Sequence, residues 1–121
     1  MILAAVDDLL FSSKIRTTAK QAGVDLVFAR TPPEILEQAR NHRPSLVIFD
    51  LNSAKADPIE TIAALKHDAD LSSIRTLGFV SHVHTGLIDA ARQAGIDDVM
   101  ARSAFAARLA EILVAASPSH S

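Results

Sequence analysis

Four apolar runs of this 121-residue chain are each followed at once by a side chain that could do chemistry. The positions are Asp7 and Asp8 after residues 2–6, Asp50 after 46–49, Ser81 after 76–80, and Arg102 after 96–101. Carboxylates that share one small cleft repel each other unless a hard cation such as Mg²⁺ is bound, because oxygen ligands suit that ion. A hydroxyl and a fixed cation beside a metal-bound carboxylate form a cradle for a phosphoryl group on Asp50. The set therefore indicates phosphoryl chemistry, provided that the fold brings the four positions together.

The remaining sequence predicts elements that would do so. Short apolar runs alternate five times with longer segments of helical period, which is the pattern of parallel βαβ units. The predicted strands are 2–6, 24–29, 46–49, 76–80 and 96–101, and the predicted helices are 10–22, 33–42, 58–68, 84–94 and 103–116. Right-handed crossovers restrict these units to an α/β, doubly wound, five-stranded parallel sheet of three layers, in the order 2-1-3-4-5. Sites in such sheets form at the carboxyl ends of the strands, where the four positions stand.

Length and composition exclude several functional classes. We expect one domain over residues 1–116 and a frayed polar tail over 117–121. The formal net charge of −2 gives no basic surplus to attract nucleic acid or an anionic membrane. The absence of cysteine excludes disulfides and thiolate sites and fits a reducing compartment. The first ten residues lack a basic leader, and no run approaches the roughly 20 apolar residues of a membrane span. The sequence thus predicts a cytoplasmic protein that is not in the membrane.

In this order along the chain, the polar positions resemble those of the receiver domains of two-component response regulators, the CheY-like family. The resemblance covers essentially the whole chain and implies a flavodoxin-like fold. It implies a protein in a phosphorelay that accepts a phosphoryl group from a sensor histidine kinase or a phosphotransfer protein. Such a protein is not an enzyme in the ordinary sense, and at most catalyses its own phosphorylation and dephosphorylation.

The family resemblance also implies a part for each matching residue. These are Asp50 as phosphoacceptor, Asp7 and Asp8 as ligands of Mg²⁺ together with Asp50, Asn52 as a further ligand through its backbone carbonyl, Ser81 as a contact of the phosphoryl group, and Arg102 as its ion-pair partner. The surface of the fourth helix, fifth strand and fifth helix is where receivers meet partners or dimerise. Apolar candidates there are Leu87, Ile88, Met100 and Ile112.

Four positions depart from the family pattern. The family has a Lys where this chain has Arg102, whose wide planar fork is not a conservative replacement at a tight site. It has a cis Pro where this chain has Ser103, and an aromatic switch residue where this chain has Val99. His82 replaces a small residue that usually leaves a path to the acceptor. The loop 53–58 also has no Gly, although turn signals usually follow the acceptor.

The candidate residues also have simpler interpretations. Asp7 and Asp8 could cap the first helix, where side-chain oxygens satisfy free backbone N–H groups. Asp50 could be a solvated polar residue at a strand end. Arg102 could hold the carboxylates together by charge pairing in a site that never turns over.

Three functions remain open on the sequence alone. The chain could be a phosphorylatable receiver, or a pseudo-receiver that signals through protein contacts without phosphorylation. It could also be a flavodoxin-like small-molecule binder or a hydrolase, but it has no Gly-rich phosphate loop, P-loop or nucleophile elbow. His82 and His84 lie two apart, so they do not share a helix face, and they lack a third metal ligand at suitable spacing.

Overall fold

The computed structural model describes residues 1–81 and 85–117, which form five strands and six helices; strands and helices alternate until the last two helices, which are consecutive. The strands are β1 (Ile2–Ala5), β2 (Leu26–Phe28), β3 (Leu46–Asp50), β4 (Arg75–Val80) and β5 (Asp98–Ala101). The helices are α1 (Leu9–Ala22), α2 (Pro32–His42), α3 (Pro58–His67), α4 (Thr85–Ala94), α5 (Arg102–Ala107) and α6 (Leu109–Ala116). None of these helices is long and apolar enough to cross a membrane.

The strands form one sheet in the order β2-β1-β3-β4-β5, and every neighbouring pair is parallel. This is the predicted order. The central strands β1 and β3 are buried along their whole length, as strands covered by helices on both faces must be. Because all five strands run in one direction, their carboxyl ends meet at one edge of the sheet.

The core has two halves because successive side chains of a strand point to opposite faces. Leu3, Val47 and Phe49 pack with buried residues of α2, α3 and α4 on one face. Ile2 and Ile48 pack on the other face with buried residues of α1, α5 and α6. The three layers predicted from the sequence are thereby confirmed.

The left-handed backbone conformation occurs at a glycine that ends α1 and at two helix boundaries where a residue with a side chain takes it at a cost. α1 ends at Gly23 in the left-handed conformation (φ 71°), as predicted from the glycine. At the end of α2, Arg43 takes that conformation (φ 44°) just before Pro44. At the start of α3, Asp57 takes it too (φ 40°). Glycine takes this conformation at the least cost, but the loop after β3 contains no glycine, and Asp57 takes it instead.

Three predicted elements differ from the structure by a break or by more than one residue at an end. The segment 103–116 is two helices instead of one, because Arg108 leaves helical geometry (φ −108°, ψ 14°) and its N–H is shared between the carbonyls of Ala104 and Phe105. The second and fifth strands are shorter than predicted, since apolar residues at their ends, such as Val24 and Ile96, are buried in the connecting loops. Of the predicted tail 117–121, residues 118–121 lie outside the described residues.

Candidate functional site

The candidate residues stand at the carboxyl edge of the sheet. Asp7 and Asp8 lie between β1 and α1, and Asp50 is the last residue of β3, paired in register with Phe79 of β4. Ser81 directly follows β4, and Arg102 is the first residue of α5. The edge therefore joins residues from four different connections of the chain.

Asp50 is a buried carboxylate, with 7% of its surface exposed. Its Oδ1 accepts a hydrogen bond from the backbone N–H of Asn52 at 3.0 Å. Burial raises the pKa of Asp50 above its usual value, and the negative charges of Asp7 and Asp8 act in the same direction, while the Asn52 N–H and the charge of Arg102 offset part of the effect. Among the ion pairs of the described residues, none includes Asp50.

Asp8 uses both of its carboxylate oxygens. It is the N-cap of α1, and its Oδ1 accepts the backbone N–H of Phe11 at 3.1 Å. Its Oδ2 accepts a hydrogen bond from Arg102 Nη2 at 3.2 Å. The bond from Phe11, together with the pairing to Arg102, holds the pKa of Asp8 below its usual range. The capping interpretation is thus confirmed for Asp8.

Arg102 reaches across the edge from α5 to the start of α1. Besides Asp8, it contacts Ser81, whose Oγ accepts a hydrogen bond from Nη1 at a long 3.4 Å. Its guanidinium carbon lies 4.4 Å from the centroid of the Phe11 ring, within the range of a cation–π contact. About a third of the side chain is exposed. The guanidinium therefore contacts both Asp8 and Ser81, and one of its faces packs against the Phe11 ring.

Asn52 enters the site through its side chain, a contact that the sequence analysis missed. Its Oδ1 accepts the backbone N–H of Ser81 at 2.8 Å, which ties the loop after β3 to the end of β4. Asparagine is common in turns because its side chain forms hydrogen bonds with nearby backbone groups. The position of Asn52 just after β3 was therefore a sequence signal for such a bond. Ligation of a metal by the Asn52 carbonyl stays a prediction.

A cluster of three phenylalanines beneath Arg102 was also missed. Phe79 and Phe105 are stacked with centroids 4.8 Å apart, and Phe11 lies tilted against both at 5.0 and 5.8 Å. The cluster joins α1, β4 and α5 under the site. Three of the five phenylalanines of the chain are gathered here, which no spacing along the sequence reveals.

Besides Arg102, two of the four positions that depart from the family pattern are among the described residues. Val99 is half-buried in β5, packed against the core that faces α3 and α4. Ser103 continues α5, and every peptide bond within the described ranges is trans. His82, like the His82–His84 pair, lies outside the described residues.

The edge has donors of the type that a hard divalent cation prefers. Asp7, Asp8 and Asp50 are carboxylates; burial is the main cause of the raised pKa of Asp50, their mutual repulsion adds to it, and a bound cation relieves that repulsion. As arranged in residues 1–81 and 85–117, however, no three His, Cys, Asp or Glu side chains could hold a metal ion together. The carboxylate oxygens are of the type that binds Mg²⁺. In this arrangement, however, Arg102 occupies Oδ2 of Asp8.

Comparisons with known proteins find response regulators. No protein-family model matches the chain. The polar-differentiation response regulator DivK of Brucella anthropi is 23% identical over 112 residues, which cover 93% of this chain and 91% of the relative. A response regulator from Hahella chejuensis superposes with a TM-score of 0.83 at 18% identity, over 95% of this chain and 92% of that one. The Mn²⁺-bound form of response regulator Rcp1 gives 0.76 at 20% identity, over 94% and 88%. These similarities confirm the resemblance and the fold.

Proposed function

We infer that this chain, which has the fold of the CheY-like response regulator receiver domains, is a phosphoacceptor module of a phosphorelay with Asp50 as the acceptor. The observation that carries the proposal is the buried carboxylate of Asp50 at the carboxyl edge, surrounded by Asp7, Asp8 and Arg102 but paired with none of them. The phosphoryl donor is a phosphohistidine of a sensor kinase or phosphotransfer protein. A cytoplasmic location, where such a donor would be met, is part of the same proposal.

The two oxygens of Asp50 have different environments. Oδ1 accepts the Asn52 N–H, whereas Oδ2 has no hydrogen-bond partner among the described residues. Oδ2 is therefore the nucleophile: it forms the new O–P bond while the N–P bond of the donor breaks, and the electron pair stays on the imidazole, which takes up a proton. A raised pKa makes the ionised carboxylate a more basic nucleophile.

Neighbouring groups bind the transferred phosphoryl oxygens. The Ser81 hydroxyl and the Arg102 guanidinium lie together at the same edge and can donate to them. Mg²⁺, held by Asp7, Asp8, Asp50 and the Asn52 carbonyl, would neutralise the charge that accumulates there. Because Arg102 contacts Asp8, it has to move for Asp8 to serve the ion.

The test is phosphorylation of the whole chain by acetyl phosphate in the presence of MgCl₂, followed by intact mass and amide NMR. Asp50→Asn removes the acceptor but keeps an oxygen for the Asn52 bond. Asp89→Asn, an exposed carboxylate on α4, is the matched control. We expect the mass of one phosphoryl group on the wild type and on Asp89→Asn, and none on Asp50→Asn. Beryllofluoride should shift the amides of Asn52 and Ser81 in the same two proteins.

A pseudo-receiver is the second candidate function, and one observation favours it. Arg102 already supplies a positive charge at Asp8 and a donor at Ser81, so the edge is partly neutralised without metal or phosphoryl group. In that case the module acts through protein contacts alone. An unchanged spectrum and mass with both phosphodonor and beryllofluoride would support this candidate and contradict the first.

The output surface is proposed to be the face of α4, β5, α5 and α6. Leu87, Ile88, Met100 and Ile112 are all half-buried there. Met100 and Ile112 line a groove of about 450 Å³ at the amino edge of the sheet, opposite the Asp50 site. A partner or a second copy bound on this face would respond to a change at the Asp50 site that is transmitted through the sheet. Loss of partner binding in Met100→Ser and Ile112→Ser, with the fold intact, tests this assignment.

A further inference from the structure

We propose that Arg102 and a divalent cation compete for Asp8, so that the guanidinium acts as a built-in gate on cation binding. The inference rests on the proposed function, since it concerns the cation of the same site. It assigns a regulatory role to Arg102, whereas the receiver pattern would use a cation at this position only to pair with the phosphoryl group.

The competition follows from the two oxygens of Asp8. Oδ1 is committed to the Phe11 N–H, because Asp8 caps α1. The remaining oxygen, Oδ2, is the one that Arg102 Nη2 approaches at 3.2 Å. A metal ion bound to Oδ2 would have to stand beside a fixed positive charge, and like charges at that distance repel strongly where water is partly excluded. Occupancy by one cation therefore disfavours the other.

Three contacts from two segments of the chain, the start of α1 and the end of β4, hold the guanidinium in place. They are the Oδ2 of Asp8 before α1, the Oγ of Ser81 after β4, and the ring of Phe11 within α1. A planar fork offers separate nitrogens to two acceptors while its face stacks on a ring, whereas an ammonium has its donors on one nitrogen and no planar face to stack. The gate is thus a property of arginine at position 102, beyond its charge alone.

The gate can also open. About a third of the Arg102 side chain is exposed, so the guanidinium can turn into solvent without leaving a buried charge behind. Its withdrawal frees Oδ2 and removes a positive charge from the edge, and both changes favour a divalent cation at Asp7, Asp8 and Asp50. Loss of one such charge is expected to increase cation affinity about tenfold or more.

The experiment measures MgCl₂ binding directly by calorimetry and by amide NMR, with no phosphodonor present. Arg102→Met removes the charge and keeps a stem that can cover Phe11, while Arg102→Lys keeps a single point charge. Arg108→Met is the matched control, because Arg108 pairs with Glu111 at the turn between α5 and α6 and lines the groove at the amino edge of the sheet, opposite the Asp50 site. Dispersed amide spectra and thermal midpoints confirm that each variant is folded.

We expect Arg102→Met to bind Mg²⁺ at least about tenfold more tightly than the wild type, Arg102→Lys to fall between them, and Arg108→Met to match the wild type. Equal affinities in the wild type and Arg102→Met overturn the gate and leave the proposed function standing. Absence of Mg²⁺ binding in every protein overturns the gate together with the cation part of the proposed function.

A second measurement needs no variant. Saturating MgCl₂ should shift the side-chain Nε–H resonance of Arg102 in the wild type, because the guanidinium leaves Asp8 and the Phe11 ring. An unchanged resonance with Mg²⁺ bound at the edge overturns the gate even if Arg102→Met does not fold.

Discussion

The side-chain oxygen of Asn52 accepts the backbone N–H of Ser81 at 2.8 Å, so the loop after β3 holds the end of β4 in place. Ser81 in turn contacts Arg102. The bond therefore fixes the position of the one hydroxyl that the proposed phosphoryl transfer uses. It also connects the backbone next to the acceptor with the segment that leads to α4.

Asn52→Ala should loosen that connection. Loss of one hydrogen bond costs about 1 kcal/mol, and amide exchange at Ser81 should rise about fivefold as a result. Native-state hydrogen exchange by NMR measures this. Asn41→Ala, an exposed position on α2, is the control and should leave exchange at Ser81 unchanged. Equal exchange in wild type and Asn52→Ala would show that Ser81 is held by something else.

Asp50→Asn should raise the stability of the protein at neutral pH. The folded state raises the pKa of Asp50, so ionised Asp50 destabilises the fold at every pH above that raised value. The penalty shrinks as the pH falls through the folded-state pKa toward the ordinary pKa of an aspartate and vanishes below it, where Asp50 is protonated in both states. Thermal midpoints should therefore differ at pH 7 and converge near that acidic limit. A lower midpoint for Asp50→Asn at pH 7 contradicts the assignment.

Asp8→Ala should destabilise the protein more than Asp8→Asn. Both substitutions remove the charge that pairs with Arg102, but only alanine removes the acceptor for the Phe11 N–H. The loss of an N-cap costs about 1 kcal/mol, and asparagine is among the best replacements. Urea unfolding at pH 7 compares the two variants. Equal midpoints would mean that the cap contributes nothing beyond the ion pair.

Gly78→Ala should destabilise the protein by about 1–3 kcal/mol through overpacking. A Cβ at this position in β4 would lie 2.8 Å from Cδ1 of Ile96 and 2.9 Å from Cδ1 of Leu51. Leu51 directly follows the acceptor, so the change should also shift the amide signals of Asp50 and Asn52. Gly86→Ala, exposed on α4, is the control and should not lower stability, because alanine is the better helix former. A tolerated Gly78→Ala would show that Leu51 moves aside easily.

The sequence was sufficient for the sheet and its order because consecutive apolar runs, helical periods and crossover handedness each restrict the topology. It also placed Asp50 at the carboxyl edge, since that follows from the strand alone. It was not sufficient for the break at Arg108. The buried positions Phe105, Leu109 and Leu113 continue at helical spacing through the break, so the periodic pattern carries no sign of it.

Contacts across the edge could not be predicted from spacing either. The pairing of Arg102 with Asp8 instead of Asp50, and the bond from Ser81 to the Asn52 side chain, depend on side-chain directions that only the folded edge fixes. The conformation of Asp57 is a further case. A loop without glycine still needed a left-handed residue before Pro58, and the chain placed an aspartate there.

The Asp8–Arg102 pair joins residues that are 94 apart in a chain of 121. Contacts of such separation form late, because closing a long loop costs entropy that earlier local contacts do not repay. During synthesis from the amino end, Asp7, Asp8 and Asp50 emerge before Arg102, which offsets part of their charge. The acidic edge therefore passes through a stage without Arg102, and docking of the final helices onto α1 brings this charge to Asp8.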